Sequence, residues 1–177
     1  MRITGGLYKG RRIICPPGEI RPAMDRMRES VFAVLGDLTG FSFLDLFSGS
    51  GIIGLEAASR GAEPVVLVEE DRKKIATLKK NISFVTSSIR IKLTSCERFL
   101  VKTAEAFDYI FLDPPFNYQT KAKVLEAIAL GTSFSGRGLI LLHLPTKERR
   151  GFLVPFFKLV DERHYGGSTV LFFSIKD

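Results

Sequence analysis

An α/β fold built on a mainly parallel sheet is predicted by three features of this 177-residue chain. Short apolar runs alternate with segments of helical spacing through the middle of the sequence. The run Val65-Val66-Leu67-Val68 is too apolar to face water on either side, as strands of a parallel sheet are. A glycine-containing turn then links one such run to a helix, and in open parallel sheets ligands bind at the carboxyl ends of the strands.

The elements read in chain order. Arg2-Ile3-Thr4 and Arg11-Arg12-Ile13-Ile14-Cys15, around Gly5, Gly6 and Gly10, form a short hairpin that Pro16-Pro17-Gly18 ends. From Asp25, a candidate N-cap, Met27, Val31, Val34, Leu35 and Leu38 keep helical spacing. Phe41–Leu46 is a buried strand, and the helix over Gly51–Arg60 stops at Gly61. After the strand at Val65, Asp71 opens a helix with Ile75, Leu78 and Ile82 on one face. Ile89–Leu93 alternates as a strand, and a short helix over Glu97–Lys102 follows. Next come the strand Phe107–Leu112, a helix over Thr120–Leu130 and the strand Leu139–Leu142. Phe156–Val160 and Thr169–Ile175, across Gly166-Gly167, close the chain as an antiparallel hairpin. The β-α-β-α series places helices on both faces of a seven-stranded sheet, with right-handed crossovers.

Composition narrows the function. Hydrophobic residues make up 45% of the chain, enough for a continuous core. The longest apolar run, Leu139–Leu144, is broken by His143 and is far shorter than the ~20 residues of a membrane-spanning helix. No secretion signal opens the sequence, and Cys15 and Cys96 stand far apart, as reduced thiols of a cytoplasmic protein would. His143 and His164 lack ligand spacing, so no metal is expected. The net charge of +7 is concentrated early: Arg2, Lys9, Arg11, Arg12, Arg21, Arg26 and Arg28 face only Glu19 and Asp25 in the first 28 residues. Such an arm suits a polyanion such as nucleic acid, although a solvated basic surface has the same composition.

Two stretches carry chemistry. The first is Asp45-Leu46-Phe47-Ser48-Gly49-Ser50-Gly51-Ile52-Ile53-Gly54, in which Gly49 and Gly51 allow a sharp turn and close ligand approach. With Glu69 lying 20 residues beyond Gly49, the pattern also fits a nicotinamide dehydrogenase. Asp45 argues against that: a carboxylate beside the helix N-terminus repels a pyrophosphate and attracts an ammonium. The second stretch, Asp113-Pro114-Pro115-Phe116, ends the fourth strand. Its prolines remove two backbone donors and turn carbonyls outward. Asp113 and the Pro114 carbonyl can then accept the hydrogens of an exocyclic amine, with Phe116 stacked on the ring that bears it. Asp-Pro also begins ordinary turns. Its place at a strand end, next in the series after the glycine loop and Glu69, favours the chemical reading.

These residues resemble the class I, Rossmann-like, S-adenosylmethionine-dependent methyltransferases with an (Asn/Asp)-Pro-Pro-(aromatic) motif. More closely, the sequence is similar to the bacterial enzymes that methylate guanine N2 in 16S ribosomal RNA. Arg2-Ile3-Thr4-Gly5-Gly6 with Lys9-Gly10-Arg11, Arg21-Pro22 with Asp25-Arg26-Met27-Arg28-Glu29, and Tyr165-Gly166 carry that similarity together with the two stretches above. The resemblance implies that Asp45, Phe47, Ser48, Gly49, Ser50 and Gly51 hold the methionine part of the cofactor. It further implies that Glu69 binds the ribose, that Asp113–Phe116 are catalytic, and that the basic residues of the arm bind RNA. The family's threonine after Arg-Pro is Ala23 here, and Ser95-Cys96 stand where an aspartate often recognises adenine. On this reading residues 1–22 are a basic arm and 23–177 the methyltransferase domain, in one compact monomer acting on ribosomal RNA or a small-subunit assembly particle. Adenine-N6 or protein-glutamine methylation is the runner-up; a nicotinamide-dependent oxidoreductase and a non-catalytic RNA-binding module stand behind it.

Overall fold

The structure, a computed structural model, describes residues 1–15, 22–152 and 155–176. Its strands are β1 (Phe43–Leu46), β2 (Val65–Glu69), β3 (Ile89–Leu93), β4 (Tyr109–Leu112), β5 (Ile140–Pro145), β6 (Phe157–Tyr165) and β7 (Ser168–Ile175). They form one sheet in the order β3-β2-β1-β4-β5-β7-β6, parallel except that β7 runs antiparallel to both neighbours. The helices are α1 (Pro22–Leu35), α2 (Ile52–Ser59), α3 (Ile75–Ile82), α4 (Cys96–Lys102) and α5 (Lys121–Leu130). Successive strand residues enter different cores: Phe43, Val65 and Leu67 pack with α1, α2 and α3, whereas Leu44, Leu46, Val66 and Val68 pack with α4 and α5. Both faces of the central strands are therefore dry, which is why their sequences do not alternate with polar residues.

Several boundaries differ from the sequence reading. α1 begins at Pro22, so Asp25 lies inside its first turn and pairs with Arg28 (2.9 Å) instead of capping the helix. Proline suits the first helical position because the amide it lacks has no partner there. Asp71 does cap, accepting the Lys73 N–H at 2.9 Å, but the turn it opens is a tight 3₁₀ turn leading into α3. The strand expected from Phe41 starts at Phe43, and that expected from Phe107 starts at Tyr109, Phe107 instead bridging to Phe134. β5 extends to Pro145 and β6 to Tyr165, because the pairing of β7 carries them further than their apolar runs suggest.

The N-terminal hairpin forms as an Arg2–Arg12 bridge flanked by backbone bonds from the Ile3 N–H to the Arg11 carbonyl (3.0 Å), the Gly10 N–H to the Ile3 carbonyl (2.8 Å) and the Ile13 N–H to the Met1 carbonyl (3.0 Å), and it packs against the body. Ile3, Tyr8 and Ile13 are buried in the core beside α1 and α2. Gly6 adopts φ +74, and a Cβ there would sit 1.7 Å from the Ser59 carbonyl oxygen, so the chain can cross the end of α2 only with glycine. The anchor is Glu56, fully buried on α2. Its carboxylate accepts from the Thr4 N–H (2.8 Å), the Thr4 hydroxyl (3.0 Å), Arg28 Nε (2.9 Å) and Arg60 Nη1. Arg28 also donates to the Arg2 carbonyl at 2.9 Å. Grouping Arg28 with the RNA-facing cations is thus corrected: it is 2% exposed, and its guanidinium is committed to partners inside the fold.

Removing one member of a buried ionic cluster strands the others, at a cost of about 3–5 kcal/mol. Glu56→Ala is therefore expected to lower unfolding stability by about that amount, measured by urea titration, while Asp25→Ala, whose side chain is half exposed, has a much smaller effect.

Candidate active site

The strand order reverses between β1 and β4, where the carboxyl ends of parallel strands open a crevice. β1 and β4 pair in register, Leu46 beside Leu112, so the glycine loop and the Asp113 segment leave the sheet side by side. Between them and the end of β2 lies a cleft of about 490 Å³. Asp45, Ser48, Gly49, Glu69, Asp113 and Phe116 all line it, as does Cys96.

The loop is shaped by backbone constraints. Phe47 adopts φ 65, which is strained for a residue with a side chain, and its ring meets that of Tyr118 edge-on at 4.9 Å. Gly51 has φ 79, and a Cβ on Gly54 would come within 2.2 Å of Leu67 Cδ2, so a larger residue there would force the Leu67 side chain to move for α2 to lie as close to β2. Ser48 closes the turn by donating its hydroxyl to the Asp45 carbonyl at 2.7 Å. Glu69 holds the loop from below: one oxygen accepts the Gly49 N–H (2.8 Å) and the other the Asp71 N–H (2.9 Å).

Asp45 is 1% exposed, and its Oδ2 accepts the Gly54 N–H at 3.1 Å in the first turn of α2. Burial pushes its carboxyl well above the usual carboxylate range; the Gly54 N–H opposes this, and the charges of Asp113 and Glu69 add to it. The N-terminal dipole of α2 is thus answered by a carboxylate of the protein itself.

Across the cleft, Asp113 is tied to β1 by its N–H to the Leu46 carbonyl (3.4 Å), and the chain turns through Tyr118 N–H to the Pro115 carbonyl (2.8 Å). Pro114 is buried, whereas Pro115 and Phe116 are exposed. Lys121, buried at the start of α5, donates to the carbonyls of Tyr118 (2.6 Å) and Phe116 (3.2 Å) and pairs with Glu148 at 3.1 Å. Asp113 Oδ1 meets His143 Nδ1 at 2.7 Å. The sequence reading missed both partners. Lys121 looks like an ordinary helix-surface lysine, and His143 showed only as a break in an apolar run; that break, a polar residue inside an otherwise dry strand, was the available signal.

Thr94, Cys96 and Glu97 line the cleft, whereas Ser95, named from the sequence as a cofactor residue, is not among its lining residues; it caps α4 by accepting the Arg98 N–H. Cys96 is buried, its thiol raised to about 12 mainly by that burial. Tyr118 donates to Glu97, and the Cys96 thiol lies 3.3 Å from Glu97 and 3.5 Å from Tyr118. Burial alone would raise the Glu97 carboxyl, but the Tyr118 hydroxyl and its other donors bring it below its ordinary value. Away from the cleft, Arg2, Lys9, Arg11 and Arg12 are exposed on the N-terminal segment and Arg26 on α1; Arg21 lies outside the described residues.

A family model described as conserved hypothetical protein 95 matches residues 1–174. The chain belongs to that family. Among curated relatives, the Ribosomal RNA small subunit methyltransferase D of Escherichia coli K12 is 38% identical over 120 residues, covering 66% of this chain and 60% of that protein. The protein of the same name from Haemophilus influenzae is 31% identical, covering 88% of this chain and 83% of its own length. The solved structure of yhhF from Escherichia coli superposes with a TM-score of 0.89 at 29% identity, over 99% of this chain and 98% of that one. With these relatives, the conserved hypothetical protein 95 chain has the Rossmann-like fold of the class I methyltransferases.

The raised carboxyl of Asp45 has a consequence for stability. A group whose folded-state pKa lies above its unfolded value contributes stability that is present in acid and lost as pH rises through the folded-state pKa. Asp45→Asn, whose amide oxygen can still accept the Gly54 N–H, should therefore raise the melting temperature of the ligand-free protein at neutral and alkaline pH. The gap should close in acid, and thermal melts across a pH series measure it.

Proposed function

We propose that this protein transfers a methyl group from S-adenosylmethionine to the exocyclic N2 amine of a guanine in small-subunit ribosomal RNA. The observation that carries the reading is the bond from Gly54 N–H to Asp45. A dinucleotide enzyme rests its pyrophosphate at the N-terminus of this helix; here the Asp45 carboxyl occupies that place, and a cationic ligand beside it would offset the burial that raises its pKa and favour its ionised form. The cleft agrees, since Asp45, Glu69, Glu70, Asp71, Glu97 and Asp113 line it against Arg28 and Lys74. S-adenosylmethionine carries an ammonium and a sulfonium and fits that donor set: Asp45 and the Ser48–Gly51 turn would hold the methionine part. Glu69, with both oxygens already fixed by backbone amides, would present its remaining lone pairs to the ribose hydroxyls. Cys96, which lines the cleft, would pack against the adenine, and its high pKa suits such packing better than charge.

When bound, the cofactor supplies an electrophilic methyl group. The protein's part is to present the amine. Asp113 and the Pro114 carbonyl accept its two hydrogens, drawing the nitrogen toward pyramidal geometry and aiming its lone pair. Phe116, 41% exposed, offers a face for the base. As the N–C bond forms and the methyl group's bond to sulfur breaks, releasing a neutral thioether, the nitrogen gains positive charge, and one of its protons would pass to the Asp113 carboxylate, leaving a neutral secondary amine. Positioning of this kind lowers barriers by several kcal/mol. Asp in place of Asn and Phe in place of Tyr favour guanine N2 over adenine N6, and the names of the two curated relatives support ribosomal RNA as the substrate class.

Ribosomal RNA from cells lacking the protein, incubated with it and radiolabelled S-adenosylmethionine, should yield labelled N2-methylguanosine on nucleoside mass spectrometry. Asp113→Ala should abolish the label in a protein that still folds, with a lowered melting temperature because the buried His143 Nδ1 loses its partner. Label in N6-methyladenosine or in protein glutamine would establish the alternative acceptor.

The exposed cations of the N-terminal segment provide a second, independent check. Each phosphate contact on a single strand contributes a slope of about −0.7 in log affinity against log salt. Arg11→Ala with Arg12→Ala should weaken RNA binding and flatten that slope by roughly 1.4. An unchanged slope would return these residues to the status of a solvated basic face.

A further inference from the structure

We propose that His143 is a positioning residue that fixes the Asp113 carboxylate as an acceptor for the amine. The inference rests on the methyl-transfer reading above. β4 and β5 pair in register at Leu112 and Leu142, so Asp113 and His143 follow as neighbours on the same side of the sheet. His143 is 1% exposed, and its Nδ1 lies 2.7 Å from Asp113 Oδ1. Its Nε2 is buried with no hydrogen-bond partner among the described residues. The ring stands edge-on to Phe116 with centroids 6.1 Å apart, so one imidazole touches both the carboxylate and the aromatic of the Asp-Pro-Pro-Phe segment.

Which nitrogen carries the hydrogen follows from Asp113. Against an ionised carboxylate, which only accepts, Nδ1 is the donor. A buried imidazole nitrogen with no partner is unusual, because burying a polar atom unpaired costs free energy. What the arrangement gains is a cleft-lining carboxylate with one oxygen, Oδ1, pinned, so that Oδ2 is the oxygen not engaged by the imidazole. Asp113 ends a strand and is otherwise held by its backbone alone, so without Nδ1–H it could rotate and present either oxygen. The amine needs one acceptor in one direction. A misplacement of about 1 Å at a reacting group costs on the order of 10²-fold in rate.

Three variants separate this role from packing. His143→Asn places an amide donor near Nδ1, His143→Gln carries it out toward Nε2, and His143→Leu matches the imidazole in bulk but donates nothing. If His143 only fills space, Leu is the best replacement and Asn, which leaves a void, is poor. If it positions Asp113, the order in kcat reverses: Asn retains most of the wild-type value, whereas Leu and Gln lose roughly 10²-fold, with the Kd for S-adenosylmethionine unchanged in all three. Melting temperatures should still rank Leu at or above Asn. Should the Leu variant not fold, the Asn and Gln pair gives the same comparison. Equal kcat for Asn and Leu, or a Leu variant as fast as wild type, overturns the proposal. The variants are assayed on whichever amine the wild-type protein methylates, so a different acceptor would revise the function and leave the positioning role standing or falling on its own order of rates.

Discussion

The buried carboxylate of Glu56 is the constraint on which the rest of the molecule depends. Taking such a group out of water costs several kcal/mol unless every lone pair is answered. The answers come from three places in the chain: Thr4, Arg28 and Arg60. Satisfying Glu56 therefore draws the N-terminal segment and α1 onto α2. Arg60 lies 4.8 Å over the Phe32 ring and extends the cluster into the apolar core. The other end of α2 carries Gly54, bonded to Asp45, so the helix that collects the ion pairs also sets the glycine loop at the head of the cleft. A second tie has the same effect. Asn81, 3% exposed on α3, donates to the carbonyls of Ile14 and Ser50 and accepts the Ile14 N–H, joining the N-terminal segment to the glycine loop through one amide.

Features with a local cause were legible in the sequence. The strands of the parallel core announce themselves because both their faces are dry, and α3 shows the spacing of Ile75, Leu78 and Ile82 because only one of its faces is. Asp45, Glu69 and Asp113 could be placed at one end of the sheet because each follows or ends an apolar run. What the sequence withheld are partnerships between distant residues. Arg28 and Glu56 are separated by 28 positions, Asp113 and His143 by 30, and Tyr165, whose hydroxyl donates to Ser30, by 135. No periodicity connects such pairs. An arginine in a basic stretch looks solvated until the carboxylate that neutralises it is found on another helix.

The glycine pattern itself is an instructive ambiguity. The spacing shared with dinucleotide-binding loops arises partly from backbone shape and packing: Gly51 has φ 79, which favours glycine, and Gly54 lies where a Cβ would crowd the Leu67 side chain on β2. The spacing reports how closely a helix approaches a strand and leaves the ligand open. The charge at the helix N-terminus is what differs between the two classes of site, and here one aspartate supplies it.

The far edge of the sheet has its own logic. β6 leaves one side of its backbone unpaired, and Leu159 and Val160 are exposed along it. An open row of amides and carbonyls beside apolar side chains invites another chain to add a strand. The register shift between Leu159 and Asp161 breaks that row, and Asp161, Glu162 and Arg163 follow it with charge. At the opposite edge, β3 interposes Arg90 and Lys92 between its apolar residues. The sheet is therefore guarded at both margins against templating its own growth, and the protein can remain crowded beside other unfinished chains without recruiting them.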